Sequence, residues 1–392
     1  MRRLLPLLPF VLAGCGARTG LSEGLTETSC HSEAPICVQP AGDPCGAATT
    51  VDASCDAASH QWSCPSGSRI YARAADAGQC LPFHDTPGLS IDAWGLSSLG
   101  RVPTDDGRCL WISDSAMLSD GTLARNVAFL ADPTAPFGTC PAVSAMPPTP
   151  IVTMEGGDDP NVLVQIDGGY RLAGVTHVLY RLFGIDASSP VGVDELGGGV
   201  GRWDPQTQKI VVGPPGKFPW GLDLDLGDAF VADDAGHELV LGCKQPGMFL
   251  VQGCELARLD ENDGVELFSK DAQWIPSTDA SLGAVLFGSG TWTSSITARA
   301  SGLRHVYAVD FGGTIQTHVA SSATGPWTDG PDLAPCDLPS ADSKAFCAGP
   351  IVHDELGDPT RPDELVVSYG VGSSGTGTGK VDDYWPRLVW TK

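Results

Sequence analysis

The sequence predicts an all-β fold, and three observations carry that reading. Glycine and proline together make up about a fifth of the 392 residues, too turn-rich for a helical protein. The chain is still 42% hydrophobic, too apolar for a disordered one. From about Ser90 onward, short apolar strands alternate with Asp/Gly turns in a plan that recurs. The plan is plainest near the end. There Pro350–His353 and Glu364–Tyr369, rich in β-branched and aromatic residues, flank a polar turn carrying Gly357, Pro359 and Pro362.

Taken from the start, Arg2 and Arg3 precede a short apolar run, Leu4 to Leu12, which Pro6 and Pro9 interrupt and which is too short to span a bilayer. It ends in Leu12-Ala13-Gly14-Cys15, which resembles a bacterial lipobox. The resemblance implies that residues 1–14 are a lipoprotein signal peptide cut before Cys15. The Cys15 thiol then receives a diacylglycerol, and more than one acyl chain gives stable anchoring. Residues 15–29 then read as the lipidated Cys and a flexible tether. The expected location is the bacterial cell envelope, lipid-anchored at the outer membrane or cell surface. Contact with the membrane is through the anchor only.

Setting Cys15 aside leaves an even number of cysteines, which in an exported chain reads as disulfides. Six of them fall in residues 30–82, a cysteine-rich module with too little apolar sequence to hold a core unaided. These are expected to pair among themselves. The later ones are spaced as Cys109/Cys140, Cys243/Cys254 and Cys336/Cys347, each expected to pair within its own unit. No Cys-x-x-Cys pair supports zinc.

Residues 90–392 read as five strand units. The first holds Ile91–Val102, a turn at Pro103–Gly107, Arg108–Asp114 and Asn126–Leu130. The second holds Asn161–Ile166, a turn at Asp167-Gly168-Gly169, Tyr170–Phe183, and a hairpin Gly201–Val212 around Asp204-Pro205. The third holds Asp228–Val231, Glu238–Cys243, Phe249–Leu259 and Val265–Phe268. The fourth holds Trp292–Arg299, His305–Val309, a turn at Asp310–Gly313 and Thr314–Ser321. The fifth adds Tyr384–Trp390 to the stretch described above. Five units of up to four strands predict a five-bladed β-propeller, preceded by the small disulfide-rich module; a β-sandwich or two β domains is the alternative.

The formal charge of −24 and a pI near 4.4 oppose binding to phosphates, so no nucleic acid partner is expected. Neutral glycans, cations and basic partners stay open, and the charge also simply keeps an exported protein soluble. Gly370-Val371-Gly372-Ser373-Ser374-Gly375 matches a dinucleotide fingerprint, but no helix follows, so it reads as a surface loop.

Several short motifs then carry a family likeness. They are Ile91-Asp92-Ala93-Trp94-Gly95 and Trp111-Ile112-Ser113-Asp114 in the first unit, and Leu226-Gly227-Asp228-Ala229 in the third. The fourth contributes Ser294-Ser295 and Ala323–Trp327, and the fifth His353-Asp354-Glu355-Leu356. In this order they resemble a five-bladed propeller family first catalogued as a domain of unknown function, with endo-D-arabinofuranase members. The chain departs from that pattern at Ser113-Asp114-Ser115, where the family has a Gly-Asp-Thr-like turn, and at Asp354, where it has Pro.

Glycoside hydrolysis needs two carboxyl groups across a sugar ring. Asp92, before the first strand of the first hairpin, and Asp114, ending the second, are expected at the same end of that hairpin. The resemblance points to the same pair as catalytic residues, with Asp228 as a third carboxylate from another blade. Asp at strand ends also commonly caps backbone N–H groups. The resemblance further implies substrate contact at His353, Glu355 and Ser295, and a calcium ion held by His353 through water. A lone His also serves as an ordinary hydrogen-bonded residue. The sequence therefore supports two functions: a surface lipoprotein that cleaves or binds a polysaccharide, or a non-catalytic glycan- or protein-binding surface lipoprotein.

Overall fold

The computed structural model describes residues 30, 33–75, 78–83, 89–90, 99–118, 123–147, 150–186, 193–213, 225–232, 237–244, 253–260, 264–276, 279–287, 294–308, 312–373 and 385–391. The leader, Cys15 and the tether lie outside them, as do Asp92 and Trp94. Among the described residues the regular structure is strand throughout, apart from two single-turn 3-10 helices, Ala280–Leu282 and Asp354–Leu356.

Five larger sheets follow one another along the chain. Sheet I holds Leu89–Ser90, Gly100–Pro103, Cys109–Leu118, Leu123–Ala131 and Val143–Ala145. Sheet II holds Val152–Met154, Val162–Leu172, Val175–Ile185, Val193–Asp204 and Lys209–Val212. Sheet III begins with Asp225–Ala232 and continues through Glu238–Lys244, Gly253–Leu259 and Val265–Phe268 to Trp274–Ile275, with Val285–Phe287 beside it. Sheet IV is built on Ser295–Arg299, Gly302–Ala308 and Thr314–Ala320. Sheet V holds Ala345–Val352, Val366–Ser373 and Arg387–Trp390. Its outermost strand is Gln79–Cys80, antiparallel to Arg387–Trp390, so the front and the end of the chain meet in one sheet.

One strand of each sheet, its leading strand, packs against that of the next: Gly100–Pro103, Val162–Leu172, Asp225–Ala232, Ser295–Arg299 and Ala345–Val352 in turn. Glycine makes the closest approaches. A Cβ at Gly100 of sheet I would lie 2.5 Å from the Ile166 carbonyl oxygen of sheet II, and one at Gly168 would meet the Phe230 ring of sheet III at the same distance. Sheet III packs on sheet IV through Asp225–Ala232 and Ser295–Arg299. Sheets IV and V join where the Val352 N–H donates to Ser295 Oγ at 2.9 Å. Sheet V returns to sheet I through Glu355, which accepts from the Trp111 indole N–H at 2.8 Å. Between sheets I and II the apolar core includes Val102, Ile112, Ile166, Val178 and Leu182, all nearly inaccessible. Burial of such side chains contributes roughly 1.5–3 kcal/mol each.

Several local expectations are corrected. Asp167-Gly168-Gly169 is not a turn but a bulge within Val162–Leu172. The chain reverses later, at Ala173 and Gly174, whose φ values of 50° and 81° suit a tight hairpin. Asp114 does not end its strand, which continues to Leu118. Gly370 to Ser373 belong to the strand Val366–Ser373 rather than to a loop.

The disulfides correct the expected pairing. Cys243–Cys254 and Cys336–Cys347 form as expected, but Cys109 pairs with Cys45 and Cys140 with Cys80. Only Cys30–Cys55 and Cys37–Cys64 join the early cysteines to one another. Two covalent links thus run from the front segment to sheet I, one to its strand Cys109–Leu118 and one to the loop between Leu123–Ala131 and Val143–Ala145. The front segment lies against sheet I, where Arg101 also binds the Cys45 carbonyl, so the distant Cys45 meets Cys109 and Cys140 pairs elsewhere.

Candidate functional site

The leading strands of all five sheets send residues into one cavity of 710 Å³. Sheet I contributes Arg101, sheet II Asp167 and Tyr170, sheet III Phe230, sheet IV Thr297 and Arg299, and sheet V, just past its first strand, Asp354. The front segment forms a further wall through Gly42, Asp43 and Cys45. Cys45 is tied down twice, by its disulfide to Cys109 and by the Arg101 guanidinium, which donates to its carbonyl at 3.2 Å.

The polar wall is organised into ion pairs. Arg181 grips Asp167 with Nε and Nη2 at 3.0 and 2.7 Å, and Gln165 donates to the same carboxylate at 3.0 Å. Burial pushes the Asp167 carboxyl up, while the Arg181 charge and these hydrogen bonds pull it back. The bulge in Val162–Leu172 turns Asp167 inward to meet Arg181 on the neighbouring strand. Across the cavity Arg299 Nη2 lies 2.6 Å from Asp354, which also accepts from Thr297 Oγ1 at 3.0 Å. Asp43 accepts from the Cys45 N–H at 2.9 Å.

Next to this wall lies a network that the sequence did not foretell as one unit. Glu355 accepts from Trp111, from Arg101 at 3.2 Å and from His353 Nδ1 at 2.9 Å. The other His353 nitrogen, Nε2, lies 2.7 Å from Ser368 Oγ. The His353 ring also packs on Trp111, with centroids 4.2 Å apart. Burial pushes the His353 imidazole below its ordinary range against the pull of Glu355, so it is neutral, with the proton on Nδ1. Burial pushes Glu355 up, but the charge that His353 takes on in acid, their hydrogen bond and the charge of Arg101 outweigh it and hold the carboxyl at about 2.

Of the described residues expected in the site, Ser295 is in the cavity wall, and its hydroxyl is engaged with the backbone of Pro350 and Val352. His353 and Glu355 are placed together, but as a buried brace between sheets V and I. Both ring nitrogens of His353 are committed to protein partners, so the structure gives it no nitrogen facing a calcium-bound water. Among the described residues no group of three or more His, Cys, Asp or Glu side chains has a metal-holding arrangement. Asp114 is half-buried in the strand Cys109–Leu118 of sheet I, where the register on either side sets it opposite Asn126. Asn126 takes the left-handed φ of 51°. Asp228 follows Gly227 in the irregular start of Asp225–Ala232, and it is Gly227 that approaches sheet II, where a Cβ on it would lie 2.9 Å from the Asp167 Cβ. Asp92 lies outside the described residues; Ser90, shortly before it, pairs with Met117, shortly after Asp114. Sequence reasoning missed Arg101, Asp167, Arg181 and Arg299. The signal for the three arginines was an isolated Arg in each of three largely apolar strands; Asp167 read only as a turn residue.

No protein-family model matches the chain, and no curated protein matches it. Solved structures do. A Bacteroides ovatus protein provisionally assigned as a hydrolase superposes with a TM-score of 0.52 at 14% identity, covering 77% of this chain and 86% of its own. A GH43_1 enzyme from Xanthomonas citri complexed with xylotriose gives a TM-score of 0.42 at 13% identity, over 75% of this chain and 86% of that one. An exo-beta-1,3-galactanase from Phanerochaete chrysosporium with beta-1,3-galactotriose gives 0.46 at 12% identity, over 80% of this chain and 64% of that one. The likeness to the Bacteroides protein shows a shared all-β fold.

Proposed function

We propose that this chain is a lipid-anchored envelope protein whose five sheets are the blades of a closed, glycoside-hydrolase-like propeller that engages a polysaccharide. The observation that carries the reading is one cavity, 710 Å³ in volume and lined by both polar and apolar groups, to which every sheet contributes. That volume falls in the range of small-molecule sites, and arginine, hydroxyl and aromatic groups on its wall suit sugar hydroxyls. Closure is supported by the Glu355–Trp111 contact from the last sheet to the first.

In the cleaving form of this reading, Asp92 and Asp114 are the acid and base of an endo-D-arabinofuranase-like reaction, with Asp228 assisting. One observation favours the non-catalytic form. Asp43, Asp167 and Asp354 on the cavity wall already accept hydrogen bonds from the protein itself. Incubation of the purified protein with arabinan, xylan and galactan separates the two forms. Oligosaccharide release that is lost in Asp92→Asn and Asp114→Asn supports cleavage. Binding without release supports the non-catalytic form, and neither binding nor release refutes both.

A further inference from the structure

We propose that Ser294, His305 and His318 form a nucleophile, base and positioning chain that hydrolyses short-chain acyl esters admitted to the central cavity. Ser294 is part of the cavity wall. Behind it, His305 Nε2 lies 2.9 Å from Ser294 Oγ. The other nitrogen of the same ring, Nδ1, lies 3.2 Å from His318 Nδ1. His318 Nε2 in turn lies 3.6 Å from the exposed carboxylate of Asp329.

The register explains the arrangement. His305 and His318 are direct partners across neighbouring strands of sheet IV, so they share a face. Ser294 immediately precedes Ser295, which pairs with Val306 beside His305. The rings are held by packing. Phe287 stacks on His305 and His318 with centroids 4.2 and 4.7 Å apart, and Tyr307 stacks on His318 at 4.4 Å.

One assignment of protons satisfies every contact. His318 carries its proton on Nε2, toward Asp329, and accepts at Nδ1 from His305 Nδ1–H. That leaves His305 Nε2 as an acceptor for the Ser294 hydroxyl, the arrangement a general base requires. Burial, and then the His318 charge, push His305 well below its ordinary range, and burial pushes His318 below its own, so both rings rest in the neutral form that a base requires.

The reaction balances without a cofactor. Ser294 Oγ attacks the ester carbonyl carbon as its proton passes to His305 Nε2. The imidazolium then returns that proton to the leaving alcohol oxygen as the carbon–oxygen bond breaks, leaving an acyl-Ser294. Water, deprotonated by His305, attacks the acyl carbon; the bond to Ser294 Oγ breaks, the imidazolium returns its proton to that oxygen, and the carboxylic acid leaves. His305 is the catalytic base, and His318 is a positioning residue that holds its tautomer. The proposal does not depend on polysaccharide binding, since any ester that reaches the cavity serves.

The test uses the intact wild-type protein with p-nitrophenyl acetate, a fluorophosphonate probe, and acetylated and deacetylated xylan. The expected result is p-nitrophenol release, together with a probe adduct that peptide mapping locates on Ser294. Ser294→Ala abolishes both, His305→Gln lowers kcat by about 100-fold or more, and the exposed Ser301→Ala changes neither. His318→Asn keeps the nucleophile but shifts the acid limb of the kcat/KM pH profile. Acetate released from acetylated xylan extends the activity to glycan esters; its absence confines it to small esters. Wild-type protein that takes no label on Ser294, or ester hydrolysis unchanged in Ser294→Ala, overturns the proposal.

Discussion

The indole N–H of Trp111 donates to Glu355 at 2.8 Å and so ties the last sheet to the first. The same carboxylate takes hydrogen bonds from Arg101 and His353, and only 13% of its side chain is exposed. Three donors from two sheets converge on one charge, which makes Glu355 the brace of the sheet V–sheet I junction.

Glu355→Gln removes that charge and turns an amide N–H₂ toward three donors. A buried network broken on one side costs about 2–4 kcal/mol. A urea midpoint lowered by that amount, with the slope unchanged, is the expected result. An unchanged midpoint would mean that the junction is not braced there.

Acid should destabilise the protein well before its carboxylates protonate. Burial depresses His305, His318 and His353 below 6.5 in the folded chain. The unfolded chain therefore binds more protons, and stability present above pH 6.5 is lost as pH falls toward the folded values. The slope reaches about 1.4 kcal/mol per pH unit for each fully buried histidine. Glu355, held at about 2 against its ordinary 4.5, adds a further loss only below pH 4.5. Urea unfolding at pH 7.5, 6 and 5 checks this, and a midpoint independent of pH across that range would contradict it.

Cys45–Cys109 closes a loop of 64 residues and pins one wall of the cavity. In the chain-entropy account, a link of that span stabilises by about 4 kcal/mol. The double variant Cys45→Ser/Cys109→Ser should lose up to that amount and exchange amide hydrogens faster around Asp43. Non-reducing peptide maps should show Cys45–Cys109 and Cys80–Cys140. A Cys109–Cys140 peptide would contradict the structure.

The resemblance of Leu12–Cys15 to a lipobox makes its own prediction. Cys15→Ser should leave the protein unprocessed or release it from the membrane fraction. A variant that stays in that fraction with unchanged mobility would rule out the lipid anchor.

Much of the fold was legible because β-structure writes its period and its turns locally. The pairs Cys243–Cys254 and Cys336–Cys347 were readable because each links residues close in sequence, and Cys243 and Cys254 are direct cross-strand partners. Local reasoning failed where a distant group decided the outcome. Asp167-Gly168-Gly169 has turn chemistry, yet Arg181 draws Asp167 into the interior and the strand continues. Cys109 found Cys45, a partner from the front segment. His305 and His318 are at mirrored positions about the turn expected at Asp310–Gly313, a signal that register alone turns into a contact. The lone His353 was legible as a notable residue, but its role followed from Trp111 and Ser368, which no spacing reveals.

The central claim is that the cavity shared by the five sheets engages a polysaccharide. Native-gel affinity electrophoresis tests it most directly, with arabinan, xylan or galactan cast in the gel. Arg171→Ala serves as the cavity-wall variant, since Arg171 lines the cavity and its ion pair with Asp105 spans 3.6 Å. The account predicts that at least one polysaccharide retards the wild-type protein and that Arg171→Ala relieves the retardation. No retardation by any of them, or equal retardation of the variant, would contradict it.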